Sequence, residues 1–422
     1  VRLIILNQFF YPDHSATSQL MTDLAESLVA GGAEVTALAG RGLYNGGSGL
    51  RKREEYRGVR VERAWSTGFG KSSAVGRLAD YLTFYLGAAL KLFSLPRHNV
   101  VMALTTPPLI GLLALVACRA RRMRFVALVQ DVYPDVGVAL GTFRRGGLLT
   151  GALDRLNRLI LKGADRVIVL GGCMREVVAS KGVAAERIDV IHNWADGEEI
   201  KPLAAGEENP FVAEQSLAGR FVVLFSGNFG RVNDFETPLE AARLLKRRDD
   251  IRFLFVGDGA KACDIEEFVR ANDLPNVLVL PYQPRERLRH SLAAGAAHLV
   301  TLAPGLAGLS VPSKTYGILA AGRPLLFVGD ARSDVARLVS ENGCGAVVET
   351  GDAEGLARAI STWATDPVLV REMGRASRRL FERRFDRKHA VAAYTDSLKR
   401  CLSGAPRRLR PGGDVASAEQ GN

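Results

Sequence analysis

At 422 residues, 47% hydrophobic and 24% charged, the chain is long enough for two globular domains with substantial cores. Its five cysteines (Cys118, Cys173, Cys263, Cys344, Cys401) are scattered, odd in number and lack metal-ligand spacing. That excludes a disulfide framework and a zinc site and points to a reducing cytosol. The net charge of +11 calls for an anionic partner, either a phosphorylated substrate or an anionic membrane face. Nucleic acid ranks last, because aromatics are 7% and no nucleic-acid-binding module is present.

In chain order, RLIILNQ opens as a buried strand, with no cleavage pattern of a secretory leader before YPDHSAT. The helix SQLMTDLAESLVAGG follows and stops at Gly31 and Gly32. EVTALAG, VVMAL, RFVALVQ and DRVIVLG continue as buried parallel strands. NVVMALTTPPLIGLLALVAC (99–118) is uncharged over the length of a membrane span, but Pro107 and Pro108 divide it into strand, turn and helix. LADYLTFYLGAALKLF (78–93) is an amphipathic, strongly apolar helix, and the basic cluster RARRMR ends the next one. Apolar surface beside cations suits a helix lying on an anionic membrane; ordinary core helices with solvated ends are the alternative.

The stretch 198–220, rich in Pro, Gly and Glu, breaks the alternation and marks the domain boundary. A second series of strands follows: FVVLFSG, IRFLFVG, VLVLP, AAHLVTL, PLLFVG and GAVVET. The pattern is α/β alternation told twice, hence two Rossmann-like doubly wound domains, 1–200 and 201–380. Residues 366–402 read as long amphipathic helix, and 403–422 as a disordered tail.

Two segments of the second half suit an anion. In FVVLFSGNFGRVNDFET, a strand runs into Gly227, Asn228 and Gly230, Arg231 offers a planar fork for phosphate oxygens, and a helix starts near Asp234. In GLSVPSKTYGILAAGRP, Pro312 suits the first turn of a helix that Gly322 and Pro324 stop. Lys314 lies in that first turn, against the helix dipole, which makes sense when an anion sits between them. Gly317 costs about 1 kcal/mol in a helix interior, which a close approach by a helix or ligand would offset. Together these features suit a diphosphate. No Walker loop or G-x-G-x-x-G fingerprint is present, and G-D-G at 257–259 reads as a strand-end turn, so a nicotinamide-dependent dehydrogenase is disfavoured.

From NQFFYPDHSATSQLMTDLA through VQDVYPD, VIHNWADGEEI and SGNFGR to VPSKTYGILAAGRP, the chain resembles the family 4 glycosyltransferases of GT-B fold. The likeness is to the colanic-acid and O-antigen type, similar to fucosamine transferases, and covers most of residues 1–400. It implies two domains facing a central cleft, with a helix at 381–402 crossing back to the first. The implied reaction moves a sugar from a nucleotide-diphosphate donor, UDP-type rather than GDP-type, with retained configuration, no metal and no other cofactor. The implied acceptor is a polyprenyl-linked saccharide in surface polysaccharide biosynthesis. The enzyme would be cytoplasmic and peripheral at the inner membrane face.

By that resemblance Arg231 and Lys314 stabilise the leaving diphosphate, helped by backbone N–H groups at 227–230 and 308–310. The donor would also meet Gly227, Asn228, Gly230, Leu309, Ser310, Ser313 and Gly317. Asp131 would orient or weakly deprotonate an acceptor hydroxyl, a cap or turn role being the alternative. His14, Ser15, Thr17, Asp135 and Asn193 would line the acceptor side of the cleft, with an N-cap role open for Ser15 or Thr17. His192 reads as structural.

The chain departs from the family in three places. Gln130 replaces a common histidine, and Asp234 and Glu236 stand where many relatives carry a lysine. The usual pair of glutamates eight apart falls on Leu309 and Gly317. The missing pair keeps two other readings open, a GT-B nucleotide-sugar 2-epimerase and a non-catalytic nucleotide-binding scaffold.

Overall fold

The computed structural model describes residues 1–43, 49–67, 69, 74–204 and 206–404. An eight-stranded sheet is built from β1 (Arg2–Leu6), β2 (Glu34–Ala39), β3 (Arg53–Tyr56), β4 (Val59–Arg63), β5 (Val100–Ala103), β6 (Arg124–Leu128), β7 (Arg166–Val169) and β8 (Ile188–Val190). Their order is β3-β4-β2-β1-β5-β6-β7-β8. Around it lie α1 (Ala16–Ala30), α2 (Ala74–Ser94), α3 (Ile110–Arg121), α4 (Asp135–Ala139), α5 (Leu148–Gly163) and α6 (Gly172–Ser180).

A six-stranded parallel sheet follows, made of β9 (Phe221–Ser226), β10 (Ile251–Val256), β11 (Val277–Leu280), β12 (Ala297–Thr301), β13 (Leu325–Val328) and β14 (Gly345–Val348). Its order, β11-β10-β9-β12-β13-β14, is that of a doubly wound nucleotide-binding sheet. The remaining helices are α7 (Pro210–Glu214), α8 (Glu236–Leu244), α9 (Ala262–Ala271), α10 (Leu288–Ala294), α11 (Lys314–Ala320), α12 (Asp334–Asn342), α13 (Ala353–Thr365), α14 (Pro367–Arg384) and α15 (Arg387–Ser403).

All eleven strands read from the apolar runs are present. The inner ones are covered on both faces, so their sequences stay apolar throughout, as in β5, where all four residues are buried. Three further strands escape that reading. β3 and β4 form an antiparallel edge hairpin rich in charge, stitched by the Arg53–Glu62 pair at 3.0 Å, and β8 has only three residues. Pro107 and Pro108 lie between β5 and α3, and among the described residues no helix is long and apolar enough to cross a membrane.

The long C-terminal helix is two helices. Phe385 is buried between them, and Asp386 bridges to Ala195. α15 packs on α1 and β6 of the first half, where Ser397 and Arg400 donate to Asp189 at 2.6 and 2.9 Å. The tail expected from 403 lies outside the described residues beyond Gly404.

The two halves also meet at the C-terminal ends of their strands. Val132 N donates to Leu309 O at 2.9 Å, and Asp131 bridges to Ser310. Cys173 N, at the start of α6, donates to the Asp334 carboxylate at the start of α12 at 3.1 Å. Arg285 forks onto Glu199 at 2.6 and 2.7 Å and stands 3.5 Å from Asp23 on α1.

Candidate active site

The second sheet brings the two predicted anion segments together. β9 ends at Ser226, and Gly227 leads into a loop that reaches α8. Gly257 shapes the neighbouring loop after β10: its φ is +155°, and a Cβ there would stand 1.9 Å from Gly227 O. No other residue fits that backbone-to-backbone approach.

Lys314 reaches this loop from the start of α11. Its Nζ lies 3.3 Å from the centroid of the Phe225 ring, and a Cβ built on Gly227 would lie 3.5 Å from it. Nζ donates to Asn233 Oδ1 at 3.4 Å. Burial, with no carboxylate to offset it, holds the Lys314 ammonium well below the ordinary lysine range. α11 has only seven residues, so its dipole is minor; the unfavourable setting of the lysine comes from desolvation.

Asn233 is a functional candidate that the sequence reading missed. It is 6% exposed, and its Nδ2 donates to Asn228 O at 3.0 Å and Gly230 O at 3.4 Å. Its Oδ1 also accepts from Thr301 Oγ1 at 3.5 Å. One amide thus ties the glycine loop, the end of β12 and Lys314 together. The only signal in the sequence is an asparagine placed between the apolar Val232 and Phe235.

Arg231 projects from the same loop, is exposed, and makes no ion pair or hydrogen bond among the described residues. α8 begins at Glu236 rather than near Asp234, because the Asp234 carboxylate turns back to accept from Glu236 N at 3.2 Å. The expected backbone donors need correction. Gly227 N and Phe229 N are spent on Val256 O and Asp258 O, and Leu309 N and Ser310 N on Leu306 O. Asn228 N and Gly230 N make no hydrogen bond among the described residues.

Leu309 and Ser310 lie where the halves touch, their backbone paired with Val132 and Asp131. Gly308 permits this contact: its φ is +73°, and a Cβ would stand 3.0 Å from Cys173 O. Ser313 is the residue before α11 and makes no side-chain cap. At Gly317 no helix among the described residues makes the close approach that would require glycine. A Cβ there would meet only the Cδ1 methyls of Ile200 and Leu292, at an ordinary 3.8 Å.

On the first-half side, Asp131 is half-buried beside Ser310 and borders a cavity of about 40 Å³ lined also by Thr105, Leu109, Tyr133 and Asn157. Desolvation raises its carboxyl above the usual range, and a hydrogen bond from Ser310 partly opposes this. Asn193 is 2% exposed, and its Oδ1 has no hydrogen-bond partner among the described residues. Gln130 Nε2 is likewise buried without one.

Ser15 occupies the N-cap position of α1 without a side-chain cap, and its Oγ is buried and unpartnered. His14 is exposed and Thr17 half-buried. Asp135 is committed elsewhere: it pairs at 2.6 Å with the buried Lys181, which also pairs with Asp154 at 2.7 Å. Its place is a structural ion-pair cluster, not a free cleft carboxylate. His192 Nδ1 donates to Leu170 O at 2.8 Å, and burial lowers its pKa, as befits a packing role.

Two doubly wound domains whose strand ends face each other, with a cation seated at a glycine loop, define a GT-B transferase architecture. The model of the glycosyl transferase 4-like domain matches residues 17–194, and that of glycosyl transferases group 1 matches residues 208–380. Together they span most of the chain, which belongs to the GT-B glycosyltransferases of that family.

Among curated relatives, the chain is 32% identical over 264 residues to the probable glycosyltransferase WbjE of Pseudomonas aeruginosa, covering 63% of this chain and 66% of that one. It is 26% identical over 280 residues to WcaI of Escherichia coli K12, a putative colanic acid biosynthesis glycosyl transferase, covering 65% and 68%. The matched stretches thus span about two thirds of those relatives. Among solved structures, sucrose-phosphate synthase from Thermosynechococcus elongatus superposes with a TM-score of 0.76 at 17% identity, covering 95% of this chain and 98% of that one. Anabaena Alr3699/HepE, solved with UDP and glucose, gives 0.72 at 16%, covering 94% and 99%.

Proposed function

We propose that the chain is a retaining glycosyltransferase that moves a sugar from a nucleotide-diphosphate donor, UDP-type, to a polyprenyl-linked saccharide in surface polysaccharide biosynthesis. The observation that carries this reading is Lys314: a desolvated ammonium over the Phe225 ring, against Gly227, with an amide and no carboxylate beside it. A half-buried, desolvated cation without a counter-charge is costly. A diphosphate docked on the glycine loop supplies that charge when the donor arrives. HepE, a fold relative, is solved with UDP, which supports the choice of donor.

Charge then grows on the departing diphosphate in the transition state. Lys314, held by Asn233, meets it as a preorganised donor worth about 3 kcal/mol, and the exposed Arg231 adds its planar fork from the solvent side. The donor's other contacts are Gly227, Asn228, Gly230 and Ser313, while Leu309 and Ser310 hold the halves in register behind it. Asp131 and Asn193 face the acceptor, with His14, Ser15 and Thr17 at the rim; the carboxylate of Asp131 takes up or orients the acceptor hydroxyl proton. Neither a metal nor a further cofactor enters this scheme. The protein works from the cytoplasm, peripheral to the membrane that carries the acceptor.

The test is a thermal-shift panel of nucleoside diphosphates and nucleotide sugars on the wild type and the Lys314→Ala and Arg231→Ala variants. Strong stabilisation by one UDP-sugar, lost in Lys314→Ala, is expected. A panel with no stabilising nucleotide would sink the reading, and binding without any turnover or donor hydrolysis would favour a scaffold.

A further inference from the structure

The outward face of α2 is apolar. Val75, Leu78, Leu82, Leu86, Leu90 and Phe93 recur every three or four residues and are 47–79% exposed. The opposite side is already buried, with Phe84, Ala88 and Leu92 at 0%. A helix bounding a globular domain normally shows water a polar face. This one shows a hydrophobic ridge about 30 Å long.

The ridge continues on both sides. Trp65 and Phe69, 58% and 63% exposed, lie beside it, the Trp65 backbone against Gly87 of α2 and Phe69 by Asp80. Their loop is held by Asp80, whose Oδ1 accepts from Thr67 Oγ1 at 2.7 Å and Phe69 N at 3.1 Å. α3 packs between α2 and α5 and adds Val116; α5 adds Leu148 and Leu149, 96% and 64% exposed. Since α2 follows β4 of a parallel array, the N-terminal end of the ridge lies on the side of the sheet where its strands end, the side that also carries Asp131.

Charge identifies the occupant. α2, α3 and α5 carry only two acids, Asp80 in the loop contact above and Asp154 in its pair with Lys181. Exposed arginines flank the layer: Arg97 and Arg122 beyond one end, Arg144, Arg145 and Arg155 at the other. A second copy docked by this face would set cations against cations with no acid to receive them.

We infer that the α2 ridge, with Trp65, Phe69, Leu148 and Leu149, seats in the interface of an anionic bilayer, the flanking arginines lying on lipid phosphates. Its purpose rests on the reading of a membrane-borne acceptor: the seated ridge sets the cleft edge at the surface from which such an acceptor enters. Its physics does not depend on that reading, because apolar burial and headgroup attraction suffice for binding.

The test is sedimentation of the full chain with phosphatidylcholine vesicles, with and without phosphatidylglycerol, for wild type and the double variant Leu82→Gln/Leu86→Gln. Wild type is expected to pellet with the anionic vesicles at low salt and to be released by high salt. The double variant should bind at least about tenfold more weakly. Retention of the wild type in the supernatant overturns the inference, as does equal pelleting of the variant. So does a concentration-dependent dimer in sedimentation velocity that the variant abolishes without any vesicle binding. Donor-induced thermal stabilisation, measured in parallel, should be unchanged in the variant. Vesicle binding without donor stabilisation would remove the transferase reading and leave the membrane face standing.

Discussion

The ammonium of Lys314 stands 3.3 Å from the centroid of the Phe225 ring. A ring face is a weak partner for a cation that has lost its water, worth about 2 kcal/mol when desolvated. On the proposed reading, a bound diphosphate supplies the counter-charge that the ring does not.

Replacement of Lys314 by Met should separate stability from function. Without the ammonium, turnover falls on the order of a hundredfold or more, the loss of about 3 kcal/mol of leaving-group stabilisation. The empty protein becomes more stable, with a Tm higher by about 2–4 °C per kcal/mol of relieved desolvation. Calorimetry and steady-state assays check both; a lower Tm would show that the lysine is structurally required.

The pH dependence follows from the same burial. The folded pKa of Lys314 lies below its unfolded value, so the unfolded chain binds the extra proton first. Stability from this group is full above the ordinary lysine pKa and declines as pH falls toward the folded one. kcat/KM should show the opposite trend, falling as pH rises through the folded pKa, because a neutral amine no longer meets the diphosphate. Lys314→Met should lack that alkaline limb.

Asn233→Asp should move the limb upward. A carboxylate 3.4 Å from Nζ favours the charged lysine and competes with the diphosphate for it. The donor KM rises about tenfold while the fold is kept. Both Asn233→Asp and Asn233→Ala leave the Asn228 and Gly230 carbonyls without their donor, but Asn233→Ala adds no charge and so lowers kcat/KM with no shift of the limb. Identical pH profiles in all three proteins would remove Asn233 from the site.

Asp131→Asn should lower kcat by about two orders of magnitude, the low end of the range for a positioned general base. In the wild type, activity should fall as pH drops through the raised pKa of Asp131, since the protonated acid accepts no proton. The variant should show a flat acid side; an unchanged profile would assign the residue to the contact with Ser310 alone.

Gly317→Ala tests the most conspicuous departure from the family pattern. With only two methyls at 3.8 Å, the added Cβ fits, and the helix gains about 0.5–1 kcal/mol. Tm should rise slightly with kcat unchanged. A loss of donor binding would show that the position must stay open for the ligand.

The sequence made the repeated α/β pattern legible because parallel strands buried on both faces are written as plain apolar runs, as in LIIL of β1 and VVMA of β5. The same logic hid the edge hairpin: REEY is partly exposed, and VRVER carries buried charges, Glu62 and Arg63, that only their ion-pair partners explain. The break at Phe385 was hidden as well, since the amphipathic period runs on across it and only contact with Ala195 shows where α14 ends.

At the site, local rules picked out Lys314, Arg231 and the glycines, because cations and turn formers are marked by residue type. They could not show that Asn233 joins residues 81 apart in the chain, or that the backbone donors at 309 and 310 are already spent. The chain by itself determined two doubly wound layers and a cation near a glycine turn. Only the tertiary structure decided which groups remain free, because hydrogen-bond partners and lost water are set by segments that meet across the fold.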